Sequence, residues 1–245
     1  MNDPIQAFTE ERKERILKNG NNSALQAAAR TFNTESNKAQ YSYNFSWMGR
    51  PIIQYPQDMI AMQEIIWDVK PDLIIETGIA HGGSLIYYAS LLELIGSGQV
   101  LGIDIDIREH NKREIQRHPM YKRITMIQGS SISHDVIEQV QEIARGKEKV
   151  IVCLDSNHTH EHVLNELNLY SPFVSVGSYI VAFDTIVEDL PEGYFSQKRP
   201  WGISNNPRTA VDQFLKANKN FMIDDSIDKK LLISVAPRGY LKRIE

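Results

Sequence analysis

From Pro56 onward the chain alternates short apolar runs rich in β-branched residues with stretches of helical length, and few folds accept that alternation. The runs DLIIET (72–77), VLGIDI (100–105), RITMIQ (123–128), KVIVCLD (149–155) and SYIVAF (178–183) have the continuity of strands buried on both faces. Between them lie LIYYASLLELIG, REHNKREIQRH, SHDVIEQVQEIARG and HEHVLNELNLYSPFV; in the third, Val136, Ile137, Val140, Ile143 and Ala144 make one apolar face. Strand, crossover helix and parallel strand, repeated, predict an α/β fold: a doubly wound, mostly parallel sheet with helices on both faces. Met59, Met62, Ile66 and Val69 predict a helix before the first strand, stopped by Pro71. After the fifth strand, Asn206 and Pro207 predict the cap and first turn of another helix, and residues 221–245 read as two closing strands.

Residues 1–40 are polar, with Ile5, Phe8, Ile16 and Leu17 scattered among Asn, Gln, Glu and Lys. They predict one or two short amphipathic helices, an arm that packs on the domain of residues 41–245 or on a neighbouring subunit. The segment YSYNFSWMGRPIIQYPQD then gathers Tyr41, Tyr43, Phe45, Trp47 and Tyr55, rings that either line a pocket or cover the sheet. With 27 Lys+Arg against 31 Asp+Glu, the net charge of −4 supplies no basic field, which argues against nucleic acid as the main partner. No run approaches the roughly 20 apolar residues of a membrane span, and the start, MNDPIQAFTEERKER, is charged where a signal peptide is apolar. A single cysteine, Cys153, excludes an internal disulfide, so a cytoplasmic protein is expected. The exposed apolar residues expected of the arm and of a long loop predict a homo-oligomer.

In a parallel sheet, ligands bind at the carboxyl ends of the strands, and here those ends are polar. The first ends in Glu76-Thr77-Gly78-Ile79-Ala80-His81-Gly82-Gly83-Ser84, where glycines permit close backbone approach and Ser84 is placed to cap the next helix. The glycines fall as GxxxGG, neither GxGxxG nor a P-loop, so turn glycines alone are an alternative. Asp104, ending the second run, is placed to accept ribose hydroxyls, with Asp106 further out; Gly129, Ser130 and Ser131 follow the third and face an adenine edge, unless they serve with Ser133 as a helix cap. The fourth and fifth ends carry Asp155 and Asp184, which neighbouring strands bring within reach of one divalent cation such as Mg²⁺, with His158 beside it as general base. His160 and His162 read as exposed helix-opening positions rather than as members of a zinc site.

Together YNFSWMGRPIIQ, KPDLIIETGIAHGGS, GIDIDIR, QGSSI, LDSNHTHEHVLNEL, GSYIVAFDT, RPWG with NNPRTAV, and GYLKRIE resemble the cephalosporin hydroxylase family, from about Tyr41 to the C-terminus. That family has the Rossmann-like class I S-adenosylmethionine-dependent methyltransferase fold and includes rhamnosyl O-methyltransferases. The resemblance implies that Glu76 and the loop from Gly78 through His81 and Gly82 to Ser84 hold the methionine portion of S-adenosylmethionine, that Asp104 holds its ribose, and that Gly129, Ser130 and Ser131 lie near adenine. It implies Asp155 and Asp184 as Mg²⁺ ligands and His158 as the base. The position that would complete the metal pair is Phe183, leaving Thr185, Glu188 or water to substitute. The activity implied is O-methylation of a hydroxyl on a sugar or a sugar-bearing or other secondary metabolite. The length and glycines of residues 188–206 suit a lid, or an interface loop in an oligomer. A metal-dependent oxygenase and a non-catalytic cofactor-binding subunit are the alternatives.

Overall fold

The computed structural model describes residues 3–191, 193–194 and 199–245. Two helices open the chain, α1 (Pro4–Gly20), capped by the Asp3 carboxylate, and α2 (Ser23–Lys38), capped by Asn22. At 17 and 16 residues they are longer than the short pieces expected. The arm rests on the rest of the chain: Gly20 is pressed against Lys229, and Tyr55 OH meets Ser36 Oγ at 2.7 Å and Asn37 Nδ2 at 2.9 Å.

The aromatic segment folds as a hairpin of β1 (Phe45–Trp47) and β2 (Arg50–Ile52), turning at Met48 and Gly49, both with positive φ. Its rings mostly cover: Trp47 Nε1 donates to Ser90 Oγ at 3.0 Å and its ring meets Tyr87 edge-on at 4.9 Å. Next come α3 (Pro56–Val69), β3 (Leu73–Thr77), α4 (Gly83–Ile95), β4 (Gln99–Asp104), α5 (Glu109–Arg117), β5 (Ile124–Gln128), α6 (His134–Ala144), β6 (Val150–Leu154), α7 (His160–Tyr170) and β7 (Tyr179–Ala182). The chain closes with α8 (Pro207–Ala217), β8 (Phe221–Ile223), α9 (Asp225–Leu231) and β9 (Tyr240–Arg243). The sequence pattern gave no sign of α9, which the Asp224 carboxylate starts by accepting from Ser226 N–H.

The sheet runs β5-β4-β3-β6-β7-β9-β8, with β3 to β7 parallel and β9 antiparallel to both of its neighbours, β7 and β8. Every residue of β3 and β6 is buried because helices cover both faces. Ile66, Leu85, Ile86 and Ile115 pack with one core, and Val136, Val140, Leu167 and Phe214 with the other. The chain steps outward from β3 through β4 to β5 and then returns to β6, so β3 and β6 flank the switch point where a crevice opens. Hydrogen bonds continue one step past the ladders, Asp155 N to Thr77 O at 2.9 Å and Phe183 N to Leu154 O at 3.0 Å, which keeps the strand ends level.

Candidate functional site

The loop after β3 is built for close approach. A Cβ on Gly78 would lie 2.1 Å from the Asp155 carbonyl, and one on Gly83 would lie 2.1 Å from that of Pro51. Ser84 does not cap α4 as its position suggests. It lies inside the helix and donates to Glu76 Oε2 at 2.7 Å, so no side chain caps the α4 amides and an anion is favoured there. Glu76 is fully buried, its Oε1 has no partner among the described residues, and burial pushes its carboxyl up to about 8. Asp104 Oδ2 accepts from the amides of Ile79 (2.7 Å) and Ala80 (3.2 Å), and Oδ1 from that of Asp106 (3.0 Å). It therefore holds the loop itself, and of roughly four lone-pair directions about one is left for a ribose hydroxyl.

The polar ends of β6 and β7 converge. Asp155, His158 and Asp184 each present a ligand atom, and these lie within 4.8 Å of one another. Asp184 adopts φ +55°, a left-handed conformation that Asp tolerates better than most residues, at the turn after β7. Its Oδ2 lies 3.1 Å from His158 Nε2. Among the described residues Asp155 has one neighbouring donor, Gln54 Nε2 at 3.3 Å, and burial together with the charges of Asp184, Glu76 and Glu166 holds its carboxyl well above the usual range. Two carboxylates short of donors make a hard oxygen set suited to Mg²⁺, which would relieve that repulsion, so the residues fit a divalent cation. Phe183 is buried in the core, Thr185 Oγ1 donates to Pro237 O at 2.7 Å, and Glu188 accepts from Ser204 N–H and Asn206 Nδ2. The residues named as substitutes are thus engaged elsewhere, and His158 is the third member of the cluster.

His160 and His162 are half-buried rather than exposed, and neither joins the metal-type cluster among the described residues. His160 joins α7 to α8 through Thr209 Oγ1 (2.8 Å) and Gln213 Oε1 (3.0 Å); His162 lies against Glu166. Ser131, expected beside adenine, gives its hydroxyl hydrogen inward to Glu166 at 2.6 Å, which leaves that group no donor for a base edge. Ser133 stands at the start of α6 but spends its hydroxyl on Ser130 O rather than on the helix amides. An iron oxygenase of the two-histidine, one-carboxylate kind finds only one histidine in the cluster among the described residues.

A cavity of about 720 Å³ joins these parts, with Gly78, His81, Ser84, Asp155, His158 and Asp184 among its lining. Gly82, Glu76, Asp104, Gly129, Ser130 and Ser131 are not on that wall. Tyr43, Tyr194, Arg199 and Trp201 also line the cavity. Trp201 meets His158 edge-on at 4.9 Å and carries the Arg199 guanidinium over its ring, so the loop of residues 188–206 touches the Asp155, His158 and Asp184 cluster. Residues 192 and 195–198 of that loop lie outside the described residues. Gln54, which sequence reasoning passed over, is buried with its Oε1 unpartnered among the described residues.

The family model for rhamnosyl O-methyltransferase/CmcI matches residues 39–244. The chain belongs to that family. Its relatives include rhamnosyl O-methyltransferases of Mycobacterium tuberculosis, 29% identical over 201 residues (81% of this chain, 78% of that protein), and of Mycobacterium leprae, 29% identical over 148 residues (60% and 62%). A solved CmcI structure with Mg and S-adenosylmethionine superposes with a TM-score of 0.59 at 22% identity, covering 83% of this chain and 78% of that one. An O-methyltransferase from Bacillus cereus, in complex with S-adenosylhomocysteine, gives 0.51 at 16% identity, with 82% of both chains covered. At these identities the structures establish the fold: the mostly parallel seven-stranded α/β sheet of methyltransferases in this family.

Proposed function

We propose that the chain is an S-adenosylmethionine-dependent O-methyltransferase acting on a hydroxyl of a sugar or sugar-bearing metabolite. The observation that carries the reading is the Asp155, His158 and Asp184 cluster, set in one cavity with the glycine loop of a rhamnosyl O-methyltransferase/CmcI family member. When bound, S-adenosylmethionine supplies a methyl group activated by its sulfonium, and Mg²⁺ a charge that lowers the pKa of a bound hydroxyl.

The uncapped amides of α4 and the Gly78 to Ser84 loop hold the methionine end, with Glu76 behind them and Asp104 fixing the loop. Asp155 and Asp184 would hold the cation. Asp184 Oδ2 lies 3.1 Å from His158 Nε2, so its charge stabilises the imidazole once that ring has gained a proton. Nδ1 makes no hydrogen bond among the described residues and takes the acceptor's proton as the methyl group transfers to oxygen. Trp201 keeps the imidazole in place and shields it from water.

The reading extends to a cytoplasmic homo-oligomer, in which residues 1–40 form an arm on the catalytic domain. Cys153 is free and buried, and Ile5, Phe8 and Leu17 stand exposed along α1. Light scattering then gives a mass above that of a 28.0 kDa monomer.

The test is incubation with methyl-labelled S-adenosylmethionine and a panel of deoxyhexosides and glycosylated metabolites, with mass spectrometry of the products. Transfer of one labelled methyl to a sugar oxygen is expected. Binding of 2-oxoglutarate in place of S-adenosylhomocysteine, with a hydroxylated product, would overturn the reading.

A further inference from the structure

We propose that Glu166 is a positioning residue that ties together the two loops bordering the nucleoside end of the cofactor site. The inference rests on the proposed cofactor and assigns a role to groups outside the reaction centre. Glu166, on α7, has no solvent exposure. Its Oε1 accepts from Ser131 Oγ and from Ser156 Oγ, each at 2.6 Å. His162, one turn earlier on the same helix, brings Nε2 to 3.3 Å from that oxygen, 3.1 Å from Ser131 Oγ and 3.2 Å from Ser156 Oγ. Tyr170, one turn later, donates to the Ser131 carbonyl at 2.8 Å.

What the cluster joins gives it meaning. Ser131 is the third residue after β5 and Ser156 the second after β6, and two strands, β4 and β3, separate β5 from β6. A single carboxylate therefore spans the switch point on whose strand ends a nucleoside-containing ligand lies. Ser156 lines the cavity and follows Asp155 directly. Packing alone gives no reason for this: an apolar residue at 166 would extend the face of Val163, Leu167 and Tyr170 without burying a charge. The polar arrangement instead fixes where two loops stand relative to each other, as outer-sphere partners fix the ligands of a metal. Glu166 touches neither methyl donor nor acceptor; it acts through Ser131 and Ser156.

The test is calorimetric binding of S-adenosylhomocysteine to the full chain, with kcat and KM measured alongside. Glu166→Ala is expected to weaken binding by about 10- to 100-fold, the range seen when outer-sphere partners are removed. KM for S-adenosylmethionine rises by a similar factor and kcat at saturation changes far less. Glu166→Gln, which keeps an acceptor oxygen for both hydroxyls, recovers most of the affinity. Ser131→Ala and Ser156→Ala, which remove only a hydroxyl each, weaken binding in the wild-type background and have no further effect in Glu166→Ala, the signature of a shared partner. If Glu166→Ala does not fold, the two serine variants alone still decide. Unchanged affinity in both serine variants, or a Glu166→Ala protein that has lost only thermal stability, overturns the proposal. A wild type that binds no S-adenosylhomocysteine overturns the functional reading itself, a result seen before any variant is made.

Discussion

Asp58, buried, and Asp155, half-buried, are both acids packed into the fold, yet their surroundings are opposite. Asp58 is held by Ser234 Oγ at 2.6 Å, Tyr240 OH at 2.7 Å and the amide of Val235 at 2.9 Å. Burial raises its carboxyl to about 6, and each of the three donors pulls it back. Asp155 has one donor among the described residues, at 3.3 Å, and faces other acids, so its carboxyl goes well above the usual range with little to oppose it. Asp58 pins α3 to the closing segment, whereas Asp155 opens on a cavity. The difference teaches that burial does not mark a functional acid; a shortage of donors beside a cavity does. Asp104, with three amide donors, stands nearer the first kind, and Glu76, with one hydroxyl and one bare oxygen, nearer the second.

The comparison breaks first at the under-satisfied cluster. His158→Ala is expected to lower kcat by about 10²- to 10⁴-fold with cofactor affinity and melting temperature little changed. Asp155→Asn lowers it too, and chelation slows the wild type. A His158→Ala rate equal to wild type at saturating acceptor, from pH 6 to 9, removes the base.

At Asp58 the effects reverse. Asp58→Ala strands two hydroxyls and an amide in the core and should cost about 3 kcal/mol or more of stability, read from denaturant melts, while the folded fraction keeps its kcat. The sign of the pH effect follows from the raised carboxyl. Its protonated form is favoured by folding, so its contribution is full below about 3.8 and is lost as pH rises through about 6. Wild type therefore gains on Asp58→Asn as pH falls from 7 to 5; a constant difference refutes the assignment.

Asp104 tests the middle ground. Asp104→Ala is expected to weaken S-adenosylmethionine binding by about 1.5 to 3 kcal/mol, because it removes a charge-assisted acceptor and releases the Ile79 and Ala80 amides. Calorimetry that shows unchanged affinity rules out both roles.

How much of this was legible in sequence depends on what each residue answers to. β-Branched runs and their polar ends report the sheet and the positions of Glu76, Asp104, Asp155 and Asp184, because parallel strands deliver their last residues to one edge. Partner choice does not show. Ser84 turning to Glu76, Ser131 to Glu166, and Thr185 and Glu188 away from the cluster are set by loops meeting in space. One signal was there: Glu166 interrupts the apolar face of Val163, Leu167 and Tyr170, and a charge in such a stripe has a buried partner more often than a solvated one. Gln54 offered none, since its neighbour Asp155 is distant in the chain.

The smallest effect, and the one that most sharpens the contrast, is at Glu76. With its carboxyl pushed up to about 8 by burial and one oxygen bare, Glu76 is mostly protonated near neutrality in the free protein. A cofactor that brings a sulfonium and an ammonium to this loop favours the carboxylate, so binding must release a proton. Affinity for S-adenosylmethionine then rises with pH below about 8, by at most about tenfold (1.4 kcal/mol) per unit, and levels off above it. S-adenosylhomocysteine, which lacks the sulfonium charge, should show a shallower slope, and Glu76→Gln a flat one. Calorimetry at pH 7 in two buffers of different ionisation enthalpy counts the proton directly. Equal heats in both buffers for the wild type would mean that Glu76 does not change protonation on binding, and that its bare oxygen, like the satisfied ones of Asp58, belongs to the frame rather than to the site.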